Sequence, residues 1–241
     1  MVILRDALIG LSELPSSCAQ LLLTDLPSGE TRAPFDVRPD LSEMWSSFWK
    51  ITTPNGIVVL MASSLTFASD LVRSQPDTYR YDLVWHKSLA TGHLNSRTRP
   101  LRAHEFVLVF SKSSSHTYRP QMTTGASPLH PCTRTSGSEN YDRITRITSN
   151  RAGATDRHPT SVLRFPSVGT SALGRTHPQQ KPVPLLEWLI STYSMPGDLV
   201  VDPYAGSGST GVASEKLGRR FVGFDSCPRF GYPTTEKEKT A

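Results

Sequence analysis

The stretch Leu199 to Asp225, LVVDPYAGSGSTGVASEKLGRRFVGFD, decides the fold. Leu199, Val200 and Val201 predict a short apolar strand, and Phe221, Val222, Gly223 and Phe224 predict a second. Between them Gly206, Gly208 and Gly211 keep G-x-G-x-x-G spacing, which lets backbone approach a ligand and opens a helix whose N-terminal amides favour negative charge. Asp225 follows Gly206 by 19 residues, where a carboxylate can accept both hydroxyls of a ribose. The reading is a nucleoside-binding βαβ unit.

Glycine spacing alone is shared with nicotinamide enzymes. Asp202 places a carboxylate at the strand tip, suited to a cationic amino acid, and Pro203 with Tyr204 shapes a broader turn than a pyrophosphate loop needs. Both details favour S-adenosylmethionine as the cofactor. No residue set elsewhere serves hydride chemistry.

Upstream, Ala19–Thr24 reads as a strand with Leu21, Leu22 and Leu23 buried, stopped by the turn Asp25-Leu26-Pro27-Ser28-Gly29. Residues 41–50 predict an amphipathic helix with Leu41, Met44, Trp45, Phe48 and Trp49 on one side, and Pro54-Asn55-Gly56 is expected to separate it from the strand 57–61. A helix over 64–73 and strands over 81–85 and 106–110 follow, then a helix over 184–193. Alternating βαβα elements imply an α/β fold with a largely parallel sheet.

A length of 241 residues suits one α/β catalytic domain. The net charge is +5, and the segment 88–165 alone holds ten Arg and one Lys against two Glu and two Asp. Residues 111–160 are rich in Ser, Thr, Arg, Gly, His and Pro, with little periodicity. That composition fits disorder or a recognition insert that orders on nucleic acid, and the arginine content favours the insert. The expected division is a catalytic half over 1–110, a basic insert over 111–165, a cofactor half over 166–227 and a tail over 228–241. Three cysteines without C-x-x-C spacing indicate neither a disulfide framework nor a zinc site. No long apolar run suggests a membrane span or a signal peptide, so a cytoplasmic protein is expected.

From Asp6 to about Cys227 the chain resembles the amino-methyltransferases of DNA, of the beta class, with a permuted order in which the catalytic loop precedes the cofactor loop. The motifs are well separated. Asp202-Pro203-Tyr204-Ala205-Gly206-Ser207-Gly208 is similar to the D-P-F-x-G-S-G cofactor loop, and His177-Pro178-Gln179-Gln180-Lys181-Pro182 to the H-P-T-Q-K-P segment. Trp85-His86-Lys87 and the block Arg99–Glu105 are similar to phage-type adenine methyltransferases.

The resemblance implies a Rossmann-like S-adenosylmethionine-dependent methyltransferase sheet in circularly permuted order with an inserted basic recognition region. It implies cofactor contacts from Asp202, Tyr204, Ala205, Gly206, Gly208, Thr210, Asp225, His177, Gln180 and Lys181. DNA is the implied partner, with Lys87, Arg97, Arg99, Arg102, Arg119 and Arg134 as candidate contacts and a homodimer or partner subunit as a further possibility. Asp25-Leu26-Pro27-Ser28 matches the D-P-P-Y catalytic loop, so Asp25 would accept N–H bonds of an exocyclic amine, with the Pro27 carbonyl as a second acceptor. Asp at the head of this loop favours adenine-N6 over cytosine-N4.

Ser28 departs from the pattern, because the family places there an aromatic ring that stacks on the flipped base, worth roughly 1–3 kcal/mol. Three accounts are open: Trp85, Phe35 or Tyr204 supplies the ring, the base differs from ordinary adenine, or the chain is a weakly catalytic or inactive DNA-binding relative. The proline-rich end after Asp225 departs too, since the family continues there into a helix.

Overall fold

The computed structural model describes residues 1–34, 36–128, 133–134, 147–148, 153–169 and 180–227. The elements run β1 (Val2–Leu4), α1 (Ala7–Ser12), β2 (Ala19–Asp25), α2 (Leu41–Ile51), β3 (Thr52–Ala62), α3 (Leu65–Ser74), β4 (Tyr79–Thr91) and β5 (Arg102–Phe110). They continue β6 (Thr133–Arg134), β7 (Ile147–Thr148), β8 (Val162–Phe165), α4 (Val183–Tyr193), β9 (Leu199–Asp202), α5 (Ser209–Lys216) and β10 (Arg220–Asp225). Two compact units result: one of 1–119 with 161–241, the other of 120–160.

The first unit is built on an eight-stranded sheet in the order β1-β10-β9-β2-β3-β5-β4-β8. Neighbours are parallel except for β5, which runs antiparallel to both β3 and β4. The largely parallel sheet expected from βαβα alternation therefore carries one reversed strand. Side-chain alternation splits the core in two. Leu22, Val58, Leu60 and Phe110 face α2 and α3, whereas Leu21, Leu23, Val59, Val107 and Val109 face α4. Fully buried Leu185, Leu189 and Ile190 of α4 each contribute about 1.5–3 kcal/mol through burial.

Local chemistry sets the helix starts. Asp40 caps α2 by accepting from the Glu43 N–H, and Ser64 caps α3 by accepting from the Phe67 N–H. Trp45 is buried in the core, as its spacing predicts, and stacks at 5.6 Å on Trp49, which is only half-buried at the edge of the same cluster. Strand β3 begins at Thr52, before the expected turn at Pro54-Asn55-Gly56. The turn is absorbed as a register irregularity, with Ala19 opposite Thr52 and Leu21 already opposite Ile57.

Sequence reading missed β1, α1 and β8, all six residues or fewer and too short for a periodic signal. Strand β8 lies within the segment expected to be the basic insert, yet it pairs parallel with β4, so the smaller unit is narrower than 111–165. In that smaller unit β6 and β7 pair antiparallel, Thr123 bridges Arg157, and the Arg157 guanidinium donates to the Ala154 and Asp156 carbonyls.

Strand order explains where a ligand fits. From β9 the chain crosses through α5 to β10 on one side, and from β2 it crosses through α2 to β3 on the other, although β9 and β2 are neighbours. This reversal is a topological switch point, and the crevice beyond the carboxyl ends of the two strands is where open α/β sheets bind ligands.

Candidate active site

Asp202 at the tip of β9 and Asp25 at the tip of β2 line one cavity at that crevice. Asp202 is 3 % exposed, and its Oδ1 accepts from the Thr24 hydroxyl at 2.6 Å and the Tyr204 N–H at 3.2 Å. The Thr210 hydroxyl donates to Oδ2 at 2.6 Å. Burial pushes the Asp202 carboxyl up to about 6, against the pull of those hydrogen bonds. The group thereby ties β2 to the glycine loop.

The glycine loop has the geometry its spacing predicts. Gly206 and Gly208 adopt φ of 49° and 74°, left-handed values that disfavour a side chain, and α5 starts immediately after. A Cβ on Gly211 would lie 2.7 Å from the Phe221 ring, so the third glycine serves close packing of helix on strand. Asp225 ends β10, its Oδ2 accepting from the Gly206 N–H at 2.8 Å and its Oδ1 from the Cys227 N–H at 2.7 Å. Each oxygen keeps a further lone pair for a hydroxyl. Tyr204, Ala205, Gly206 and Thr210 line the cavity as well.

Charge in this cavity is one-sided. Among the described residues five carboxylates line it, those of Asp6, Asp25, Asp36, Asp202 and Asp225, against the single ammonium of Lys181. A sulfonium amino acid with a ribose fits such a donor set, whereas a pyrophosphate would be repelled. Asp6 caps α1 from the cavity wall. The loop after β2 folds around Asp36, whose two oxygens accept from the Gly29 and Thr31 N–H groups; burial opposes ionisation, but these bonds hold the carboxyl below its ordinary value.

Lys181 immediately precedes Pro182, the cap of α4, and its ammonium lies 2.7 Å from Asp25 Oδ2. It also lies 3.0 Å from Glu105 Oε2, while the Lys87 ammonium sits 3.2 Å from Glu105 Oε1. The result is a linear chain, Asp25–Lys181–Glu105–Lys87. Burial raises the Asp25 carboxyl, aided by Glu105 and opposed by Lys181. Desolvation disfavours the Lys181 ammonium, but its two carboxylate neighbours raise its pKa overall. The two ammoniums likewise overcome burial at Glu105 and lower its carboxyl.

The expected site residues thus fall into groups. Asp25, Pro27, Lys181, Asp202, Tyr204, Ala205, Gly206, Thr210 and Asp225 line one cavity; Ser28 is half-buried outside the lining, its Oγ accepting from the Glu30 N–H. Gln180 adjoins Lys181, and His177 lies outside the described residues. Lys87, expected on nucleic acid, is instead 7 % exposed and paired with Glu105. Arg97 and Arg99 are exposed in the β4–β5 connection, and Arg102 donates to the Ser63 carbonyl.

The Arg119 N–H bonds the Thr192 carbonyl near the C-terminal end of α4, an eleven-residue helix whose other end carries Lys181, about 16 Å along the axis. Arg134 belongs to β6. Of the ring substitutes for Ser28, Trp85 is buried with its indole N–H on the Phe165 carbonyl at 2.9 Å, Phe35 lies outside the described residues, and Tyr204 faces the cavity.

The family model for DNA methylases, N6_N4_Mtase, matches residues 40–232. The chain belongs to this family. It is 52 % identical over 50 residues to the Type II methyltransferase M2.DpnII of Streptococcus pneumoniae, a match covering 21 % of this chain and 19 % of that protein. Its matches span about a fifth to a third of the length of such curated relatives, 19 % and 30 % in two cases. Among solved structures, the M1.HpyAVI-SAM complex superposes with a TM-score of 0.61 at 22 % identity over 95 % of this chain and 94 % of that one.

The PvuII DNA methyltransferase, described as cytosine-N4-specific, gives a TM-score of 0.66 at 18 % identity over 95 % of this chain and 82 % of that one. These likenesses show the fold, a Rossmann-like sheet. Among the described residues, no helix is long and apolar enough to cross a membrane and no His/Cys/Asp/Glu cluster could hold a metal.

Sequence reading gave no role to Asp6, Thr24 and Asp36, which line the cavity, or to Glu105, which belongs to the ion chain. Glu105 and Lys87 carried a signal. Val109, Val107 and Glu105 share one face of β5, and Leu83, Trp85 and Lys87 share one face of β4, so each apolar stripe ends in an opposite charge.

Proposed function

We propose that the chain transfers a methyl group from S-adenosylmethionine to an exocyclic amine of DNA, with adenine-N6 as the target. The observation that carries this reading is the carboxylate-lined cavity at the switch point, which brings the Asp25 loop and the glycine loop together. Bound there, the cofactor supplies a methyl group activated by a sulfonium. Asp225 offers acceptors for ribose hydroxyls, and the acidic wall formed with Asp6 and Asp202 favours a cationic ligand.

An exocyclic amine is a poor nucleophile because its lone pair is delocalised into the ring. Asp25 accepts an N–H bond and the Pro27 carbonyl offers a second acceptor, drawing the nitrogen towards tetrahedral geometry. The new N–C bond forms as the S–C bond breaks, and the proton then shed by the amine passes to Asp25 or water. Much of the acceleration comes from alignment. The base reaches Asp25 only outside the helix stack, where Tyr204 offers a ring and Ser28 does not. Exposed Arg97 and Arg99 supply phosphate contacts.

The test is transfer of label from methyl-tritiated cofactor to unmethylated bacterial DNA at low salt, followed by chromatography of the digested nucleosides. Label in N6-methyladenine is the expected result. Label in N4-methylcytosine overturns the choice of base, and cofactor binding without transfer overturns the enzymatic reading in favour of a DNA-binding subunit.

A further inference from the structure

The ion chain behind Asp25 reaches a residue outside the described lining of the cavity. We propose that Glu105 is a positioning residue for the methyl-transfer site, holding Lys181 so that its ammonium is shared between two carboxylates instead of being committed to Asp25. This inference rests on the methyltransferase reading above.

Geometry supports it from both sides. Lys181 spans Asp25 at 2.7 Å and Glu105 at 3.0 Å, with the Trp85 ring centroid 6.0 Å away. An ammonium has three protons, so two carboxylates can be served at once. Without Glu105, Lys181 would bind Asp25 alone and occupy the acceptor that the incoming amine needs. With Glu105 present, Lys181 has a second seat when the amine arrives. Lys87, 3.2 Å from the other Glu105 oxygen, keeps that seat neutralised, so the four groups carry no net charge.

Among the described residues the charged groups facing Asp25 come from four elements: Lys181 before α4, Glu105 on β5, Asp36 in the loop after β2, and Asp202 on β9. Glu105 raises the Asp25 carboxyl directly by like charge, and again by taking a share of Lys181. Its removal therefore moves Asp25 to lower pH.

The test uses the full chain as Glu105→Gln and, because the single change leaves Lys87 buried without its counter-charge, also as Glu105→Gln with Lys87→Met. Two quantities are read: the Asp25 carboxyl titration by carbon-13 NMR, assigned by its loss in Asp25→Asn, and the pH profile of kcat. Expected are a downward shift of the Asp25 titration, a parallel downward shift of the acidic limb, and a kcat lower by roughly 10- to 100-fold. Cofactor affinity and the melting temperature of the double variant stay at wild-type values.

An unmoved titration in both variants refutes the linkage. A fall in kcat with a fixed acidic limb also refutes it, because a merely structural role behaves that way. Wild-type protein that transfers no methyl group refutes the methyltransferase reading instead, while the NMR titration still decides whether Glu105 acts on Asp25.

Discussion

Asp202 should make the folded protein more stable in mild acid than at neutral pH. Its carboxyl is raised from 3.8 to about 6 by burial, although Thr24, Thr210 and the Tyr204 amide all donate to it. Between those values the folded protein keeps a proton that the unfolded chain releases. Stability contributed by this group is therefore complete below about pH 4 and lost as pH rises through about 6. At 1.36 kcal/mol per unit, a shift of about 2 units is worth about 3 kcal/mol, and at 3 % exposure little of it is screened by solvent.

The assay is urea unfolding of wild type and Asp202→Asn at steps from pH 4 to 8. An asparagine accepts from one threonine hydroxyl and donates to the other, and it does not titrate. The wild-type advantage over the variant should shrink by about 3 kcal/mol between pH 4 and 7, then stay flat. A difference constant to within about 1 kcal/mol across this range would refute the claim that burial governs Asp202.

Gly211→Ala places a Cβ 2.7 Å from the Phe221 ring and should cost about 1–3 kcal/mol, read as a lower urea midpoint with unchanged m. Asp225→Ala should weaken S-adenosylmethionine binding by roughly 10- to 100-fold in calorimetry, the loss of charge-assisted hydrogen bonds to ribose. Asp25→Asn should lower kcat by on the order of 100-fold or more while leaving cofactor affinity nearly unchanged; equal losses in both would place Asp25 in cofactor binding. Changing Arg97 and Arg99 together to Ala should weaken DNA binding uniformly across sequences and reduce the salt slope by about 2.

Much of this architecture was legible because it rests on periodicity and glycine geometry. The Leu199–Asp225 unit folds as its spacing predicts, and Asp40 and Ser64 start α2 and α3 at the expected places. What escaped the sequence was non-local. The Thr24–Asp202 bond, the reversal of β5 and the return of β8 to the sheet each join segments distant in the chain, and nothing in a local window encodes such a pairing. Lys87 shows the same limit. The resemblance implied a nucleic-acid contact for it, but its position at the end of the apolar stripe of Leu83 and Trp85, within reach of Glu105 on the neighbouring strand, decides that it is buried and paired.

The neighbouring strands at the switch point also set a timetable. Thr24 and Asp202, bonded across β2 and β9, are separated by 178 residues. Ribosomes add roughly 5–20 residues per second, so one edge of β2, with Leu21, Leu22 and Leu23, waits about 10–35 s for its partner strand to be made. During that interval the nascent chain presents an apolar strand edge, the kind that pairs with strangers. Its yield in the cell should depend on translation speed and on whatever shields that edge until β9 emerges.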